Sequence, residues 1–310
     1  MTTFESALAE IVAGLKLSEK MVSPKYFYDE RGSQLFDQIT HLPEYYPTET
    51  ELRIMLDNMP EIVALIGQQA SLIEFGSGSS RKTRALLDHL QNQAVYVPVD
   101  ISEDHLLASA KKIRSEHLGL EVLPVVADFT KPFALPDPTI MPLRNIVYFP
   151  GSTIGNFTHE AAHELLAVMY QEAGDDGALL IGVDLQKDPE IIERAYNDGA
   201  GITAEFNLNM LTHLNREFGF DFNANAFTHS ALYDADEGRM EIRLVSDRDQ
   251  VVTAGDEVFR FADGESILTE YSHKYTLEGF AAMAARAGFA VEKVWADPQQ
   301  LFSVQYCVRQ

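Results

Sequence analysis

The sequence has one cysteine, Cys307, among 310 residues. An intramolecular disulfide and a multi-thiolate metal cluster within one chain are therefore excluded, and the apolar, strand-like run around Cys307 marks it as an inert core residue. Basic side chains are also scarce, with 24 Lys and Arg against 47 Asp and Glu, a formal net charge of −23. A surface of that sign repels phosphate backbones and anionic bilayers, so no nucleic acid and no membrane is expected as a partner, and the acidity serves solubility. No apolar run approaches the ~20 residues that cross a bilayer. No basic leader opens the chain, which instead carries Glu5 and Glu10 on an amphipathic helix with Phe4, Leu8, Ile11, Val12 and Leu15 at helical spacing. A reducing cytoplasm is the expected compartment. Repeats, low-complexity tracts and Gly/Pro/Ser-rich linkers are absent too, so a second domain has to be interwoven with the first. The nine histidines show no metal-ligand spacing. His159 and His163 share a helix face without the carboxylate motif of a zinc protease, and no metal is expected.

What is present reads as an α/β chain. Hydrophobic residues make up 46% of the sequence, enough for a sizeable core. From about residue 51 helix and strand alternate. Thr48 and Glu51 read as a capping box for a helix carrying Leu52, Met55, Leu56 and Ile62, followed by a strand over Leu72–Phe75. A helix through Leu86, Leu87 and Leu90 leads to a strand over Val95–Asp100, and Ser102 caps the next helix. Strands follow over Leu123–Ala127, Ile146–Phe149 and Ala178–Val183, with a Thr158-capped helix before the last. Five such alternations predict a doubly wound parallel sheet. The pattern then breaks. Pro189 opens one helix, Thr203 caps another that Gly219 ends, and short runs at Ala231–Asp234, Met240–Ser246, Val251–Thr253 and Val258–Phe261 read as antiparallel hairpins. Alternation resumes with a helix over Leu277–Ala287 and two closing antiparallel strands, Val291–Trp295 and Phe302–Val308.

Two strand-to-turn segments carry the chemistry. Asn145-Ile-Val-Tyr-Phe-Pro-Gly-Ser-Thr-Ile-Gly-Asn-Phe157 runs from an apolar strand into a turn rich in glycine and hydroxyls that stops at an asparagine. Leu72-Ile-Glu-Phe-Gly-Ser-Gly-Ser-Ser80 repeats the layout, with Glu74 before Gly76, Ser77 and Gly78. Such turns at the carboxyl ends of neighbouring strands form a ligand crevice in an open α/β sheet. The Gly76 turn starts like a dinucleotide fingerprint but has Arg81 where the third glycine belongs, which disfavours a nicotinamide oxidoreductase. Asp100, ending the next strand, can accept both hydroxyls of a ribose. Asp128 and Phe129, ending the third, offer an acceptor and an aromatic edge to an adenine. That set describes S-adenosylmethionine, whose sulfonium cation suits an acidic protein.

Residues 25–50, Lys-Tyr-Phe-Tyr-Asp-Glu-Arg-Gly-Ser-Gln-Leu-Phe-Asp-Gln-Ile-Thr-His-Leu-Pro-Glu-Tyr-Tyr-Pro-Thr-Glu-Thr, resemble the signature of the histidine-specific methyltransferase family, whose best-known member makes hercynine for ergothioneine. The likeness continues through Glu74 to Arg84, Pro150 to Phe157, Tyr196 to Asn207 and Thr269 to Tyr275. It implies a Rossmann-like class I methyltransferase sheet over 51–185 plus 275–310. It also implies a second α+β substrate-binding domain over 1–50 plus 186–274. On the cofactor side it points to Gly76 and Lys82 near the methionine portion, Asp100 on the ribose, and Asp128 with Phe129 on the adenine. On the substrate side it points to Asn156 and Tyr196 on the carboxylate, with Tyr28, Tyr45 and the Gly151 backbone at the amine. Glu270 and Ser272 would hold the imidazole, and Ile242 would set the pocket width. Tyr28 and Gly151 are expected to position the amine rather than act as a strict general base. The implied reaction is methyl transfer from S-adenosylmethionine to the α-amine of L-histidine, three times over, leaving S-adenosylhomocysteine. A separate enzyme would then insert sulfur. Independently of the family, Glu270 and Ser272 are spaced by two on a strand and so share a face, where a carboxylate and a hydroxyl can serve the two nitrogens of one imidazole. Other readings are the same fold acting on a different amino acid or small amine, and a non-catalytic S-adenosylmethionine sensor or scaffold.

Overall fold

A strand that is apolar at every position needs cover on both faces. Ala70–Phe75 and Ala178–Asp184 are buried at every residue, and Val95–Asp100 at all but the last. With Arg144–Phe149, Val125–Val126, Phe289–Ala296 and Phe302–Arg309 they build a seven-stranded sheet; counted along the chain within the sheet, the spatial order is 6-7-5-4-1-2-3. The first five strands run parallel, and Phe302–Arg309 runs antiparallel between its two neighbours. Helices Met59–Ile66, Arg81–His89 and Glu103–Glu116 cover the face that presents Leu72, Tyr96, Ile146 and Tyr148. Helices His159–Ala173 and Leu277–Arg286 cover the face of Ile73, Phe75, Val147 and Phe149. The sheet is doubly wound, as the alternation predicts. The computed structural model describes residues 4–77, 81–90, 92 and 95–310.

The chain divides into two units. One comprises 47–186 and 275–310 and contains the seven-stranded sheet; the other comprises the chain up to Tyr46 and Lys187–Lys274. In the second unit a four-stranded sheet has the order Lys20–Met21, Ser266–His273, Arg239–Ser246, Phe227–Asp234, and a hairpin pairs Gln250–Ala254 with Glu257–Phe261. Arg239–Ser246 alternates half-buried and buried residues, the pattern of a sheet with one face on a core. That core joins Phe206, Met210, Leu211 and Leu214 of helix Ile202–Phe218 to Ile11, Leu15, Leu35 and Leu244. Among the described residues no helix is long and apolar enough to cross a membrane.

Several local expectations are corrected. Helix Tyr46–Asp57 begins before Thr48, so Thr48 and Glu51 form no capping box, and Glu51 faces inward. Thr203 lies inside helix Ile202–Phe218; Gly201 is the N-cap, and the Asp198 carboxylate accepts from the backbone N–H groups of Ile202 and Thr203 at 2.9 and 2.8 Å. Ser102 does precede helix Glu103–Glu116, but its side chain makes no cap; its N–H donates to Asp100 Oδ1 instead. The third strand shrinks to Val125–Val126 because Pro124 removes a ladder donor. Only an isolated bridge between Val122 and Tyr96 extends it.

One carboxylate lies inside the main sheet. Glu74 is fully buried; Thr83 donates to Oε1 at 2.7 Å and the Tyr96 hydroxyl donates to Oε2. Burial pushes its pKa up to about 7, against these two hydrogen bonds and the charge of Lys82. The folded state thus holds a proton that the unfolded chain has released, so stability present below the unfolded value, about 4.5, is lost as pH rises through about 7. The difference corresponds to roughly 3 kcal/mol. Thermal midpoints of wild type are expected to fall between pH 5 and pH 8, and Glu74→Gln is expected to flatten that fall; an unchanged slope in the variant would assign the titration elsewhere.

Candidate active site

The candidate residues fall into two sets, one on each unit. On the first unit the strand order reverses between Ala70–Phe75 and its neighbour Arg144–Phe149, where Glu74 pairs with Tyr148. Ligands of open α/β sheets bind beyond the carboxyl ends of strands at such a switch point. Both turns singled out in the sequence begin there. Gly76 has φ +73°, a conformation that side chains other than glycine rarely adopt, and a Cβ placed on it would lie 3.5 Å from the Phe129 ring. Phe129 packs on Phe75 and Phe149 with centroids 5.7 and 5.9 Å away. Ser77 is fully buried, and its hydroxyl has no hydrogen-bond partner among the described residues. Gly78 lies outside the described residues.

Asp100 ends its strand, Asp128 follows the neighbouring strand Val125–Val126, and the two differ electrostatically. Burial raises the Asp100 pKa above the ordinary aspartate value, although Ser102 N–H donates to it at 2.9 Å. Burial also opposes the charge on Asp128, but the Thr130 hydroxyl and N–H, with Lys131, outweigh it and leave Asp128 more acidic than usual. Both carboxylates remain partly accessible. Glu74, by contrast, is enclosed behind the turn and braces it from inside.

The second turn is held by a residue the sequence reading misplaced. Glu51 is 1% exposed; Gly151 N–H donates to its Oε2 at 2.9 Å, and Lys82 Nζ donates to the same oxygen at 2.6 Å. Lys82 and Gly151, expected on opposite sides of the reacting centre, thus share one carboxylate. Gly182 makes room for it, since a Cβ there would sit 2.4 Å from Glu51 Oε1. Gly151 and Ser152 both take positive φ, +82° and +58°, and the Ser152 hydroxyl accepts from Asp184 N–H at 2.9 Å. Asn156 ends the single turn Thr153–Asn156 and is half-buried. A signal for Glu51 was available, because it falls one helical turn from Pro47 and from Met55, both on the buried face.

On the second unit, Tyr45, Tyr196 and Ile242 meet in one apolar cluster with Ile192, Ala231 and Met240. Glu270 pairs with Ile242 and Ser272 with Met240, so the carboxylate and the hydroxyl do share a face. The Tyr196 and Ser272 hydroxyls are 2.8 Å apart. Tyr28 is edge-on to Phe36 and Phe206, and Phe36 contacts Tyr45, which in turn meets Tyr196 edge-on. Tyr28 is 43% exposed.

Two further features escaped the sequence reading. A β-bulge at Thr269 shifts the register just before Glu270. Thr269 Oγ1 contacts Asn207 Oδ1 at 2.8 Å and the Ile242 carbonyl at 3.0 Å, while Asn207 Nδ2 lies 2.9 Å from His229 Nδ1. Burial lowers the His229 pKa, keeping the ring neutral; its Nε2–H donates to the Tyr196 carbonyl, and Nδ1 accepts from Asn207. The second feature is Lys274, buried beside both Tyr196 and Ser272.

The sequence profile of the family described as histidine-specific methyltransferase, SAM-dependent, matches residues 7–309. The histidine N-alpha-methyltransferase of Mycolicibacterium smegmatis is 40% identical over 311 residues, covering 98% of this chain and 95% of that protein. That of Mycobacterium tuberculosis is 39% identical over 295 residues, covering 93% and 90%. Among solved structures, an S-adenosylmethionine-dependent methyltransferase from Clostridium acetobutylicum superposes with a TM-score of 0.51 at 9% identity, over 88% of this chain and 98% of that one, a likeness of fold alone. The chain belongs to the S-adenosylmethionine-dependent, histidine-specific methyltransferase family.

Proposed function

We infer that this protein transfers methyl groups from S-adenosylmethionine to the α-amine of L-histidine, three times, giving hercynine. Membership of the family supports the reaction. The substrate reading is carried by one observation: Glu270 and Ser272 share a strand face, with Tyr196 joined to Ser272. Glu270 would accept from one ring nitrogen and Ser272 would serve the other, while Tyr196 and Asn156 would take the carboxylate. Ile242, directly across from Glu270, would close the pocket beside the ring.

The residues of the first unit suit the donor. Gly76 lies open against the Phe129 ring, the buried Ser77 hydroxyl has an unused bonding capacity, and Asp100 ends the adjacent strand. In this reading Gly76, Ser77, Gly78 and Lys82 hold the methionine portion, Asp100 the ribose, and Asp128 with Phe129 the adenine, while Glu74 keeps the turn in place. When bound, S-adenosylmethionine supplies a methyl group activated by its sulfonium, and S-adenosylhomocysteine remains afterwards. The protein has to hold the amine unprotonated and aligned, and alignment accounts for most of the acceleration. Tyr28 and Tyr45 offer aromatic faces to the cation that grows with each methylation. Gly151 spends its N–H on Glu51, so its carbonyl is the group left to meet the amine.

Mass spectrometry of L-histidine incubated with the purified chain and S-adenosylmethionine, with other aromatic amino acids alongside, tests the reading. Three methyl groups on histidine alone is the expected result. Methylation of another amine would move the substrate assignment, and cofactor binding without any turnover would leave a sensor. Glu270→Ala is expected to raise KM for histidine about tenfold or more with cofactor affinity unchanged, the cost of removing a charged hydrogen-bond partner. Tyr28→Phe should retain measurable turnover; complete loss with intact binding would make Tyr28 the general base.

A further inference from the structure

Tyr196 ends the helix Pro189–Tyr196, so its carbonyl is one of the last four that find no acceptor role within the helix. His229, on strand Phe227–Asp234, meets that oxygen with Nε2 at 2.9 Å. The other ring nitrogen, Nδ1, lies 2.9 Å from Asn207 Nδ2 on helix Ile202–Phe218. Asn207 Nδ2 also donates to the Arg243 carbonyl at 3.0 Å, and Asn207 Oδ1 meets the hydroxyl of Thr269, at the bulge before Glu270. Asn207 and Thr269 are both buried.

Two main-chain carbonyls fix the direction of this series. A carbonyl has no hydrogen, so His229 Nε2 must carry one to reach Tyr196. The Arg243 carbonyl requires the amide nitrogen of Asn207 to face it, since turning the amide over would set Oδ1 against another oxygen. That nitrogen is a donor with two hydrogens, and the second meets His229 Nδ1, which must therefore be bare. The ring is neutral and protonated at Nε2. Burial lowers its pKa in the same sense, against the Tyr196 hydrogen bond and the charge of Asp198, whose carboxylate is committed to the N–H groups of Ile202 and Thr203.

Resting on the reading of Tyr196 as a carboxylate contact and Glu270 with Ser272 as ring contacts, we propose that His229 is a positioning residue for the amino-acid substrate: as the neutral Nε2–H tautomer it fixes the main chain of Tyr196 relative to the strand that carries Glu270 and Ser272. A ligand held by its carboxylate at one end and its ring at the other senses that separation. Two further hydrogen bonds, Asn197 Nδ2 to the Ala231 carbonyl and Tyr233 N–H to Glu193, dock the same helix on strand Phe227–Asp234. Loss of the His229 ring therefore leaves the helix docked and removes the link from its last residue to the bulge. The residues read as holding S-adenosylmethionine belong to the other unit, so their affinity for the donor is independent of this link.

The test is calorimetric titration of L-histidine into the full chain with S-adenosylhomocysteine, which prevents turnover. His229→Leu is expected to weaken histidine binding by about tenfold, as for loss of hydrogen bonds between buried groups, with S-adenosylhomocysteine affinity unchanged. His229→Gln, whose amide offers both a donor and an acceptor without charge, is expected to recover most of that loss. Nitrogen NMR of the histidine-labelled protein without substrate gives a second readout: the ring signals missing from His229→Gln are expected to show a protonated Nε2 and a bare Nδ1 at neutral pH. An imidazolium or the other tautomer there would overturn the proposal. So would unchanged histidine affinity in His229→Leu, or an equal loss of S-adenosylhomocysteine affinity, which marks general disruption. Should His229→Leu not fold, Thr269→Val cuts the far end of the same series, and unchanged histidine affinity in that variant overturns the proposal equally. Failure of wild type to bind histidine while it binds S-adenosylhomocysteine would instead remove the substrate reading, and the proposal with it.

Discussion

The unit that contains the seven-stranded sheet depends on one buried ion pair. Glu51 and Lys82 meet at 2.6 Å with side chains 1% and 10% exposed, and the pair is anchored further by the Gly151 N–H. Leaving either charge buried without the other costs about 3–5 kcal/mol, a large share of the net stability of an ordinary domain. The pair therefore acts as a constraint on geometry. Lys82 belongs to the helix that follows the first glycine turn, and Gly151 begins the second, so the two turns cannot move independently. The fifth parallel strand takes part as well: Gly182 leaves the space that Glu51 fills, and Asp184 N–H holds the left-handed Ser152. Backbone strain at Ser152, of order 1–2 kcal/mol, is tolerated because its hydroxyl and its neighbours are fixed on several sides.

The second unit is braced by a buried series of neutral hydrogen bonds. Thr269, Asn207 and a neutral His229 connect the bulge before Glu270 to the main chain of Tyr196. Each group in that series has a defined donor or acceptor role, because the His229 Nε2–H is committed to a carbonyl. Buried polar networks specify one arrangement when every member is satisfied. Here the arrangement sets where the Glu270 and Ser272 side chains emerge, with Lys274 buried beside Ser272.

The sequence disclosed the sheet because strands buried on both faces read as continuous apolar runs, and Ala178–Asp184 could hardly be anything else. It disclosed the turns because Gly76 and Gly151 adopt conformations that require glycine or tolerate little else. It failed where a residue type has two physical uses. Thr48 with Glu51 satisfies the spacing of a capping box, yet burial of Glu51 against Lys82 depends on a partner 31 positions away. Thr203 looked like a cap, but an Asp198 carboxylate takes both terminal N–H groups from outside the helix. The face shared by Glu270 and Ser272 followed from period two alone, whereas the bulge at Thr269 and the burial of Lys274 depend on what packs across the strand. Neither has a local signature.

On the proposed reading, the polar pair Glu270 and Ser272 also means that a histidine site need not rely on shape. On that reading, a phenylalanine side chain of similar size would forgo the hydrogen bonds that Glu270 and Ser272 offer an imidazole. A site built to hydrogen-bond its substrate rejects analogues that lack those groups far more strongly than a fit of apolar volume, which alone separates close analogues by only about 1–3 kcal/mol. Discrimination of about ten thousandfold is therefore within reach of hydrogen bonding and out of reach of packing against Ile242. The same logic assigns different tasks to the aromatic residues. Tyr45 and Tyr196 are set edge-on to one another, whereas Tyr28 is partly exposed and edge-on to Phe36 and Phe206. A pocket that must accept an amine with zero, one or two methyl groups needs fixed recognition at the ring and room at the nitrogen, and on the proposed reading the buried Ser272 would supply the first and the exposed Tyr28 the second.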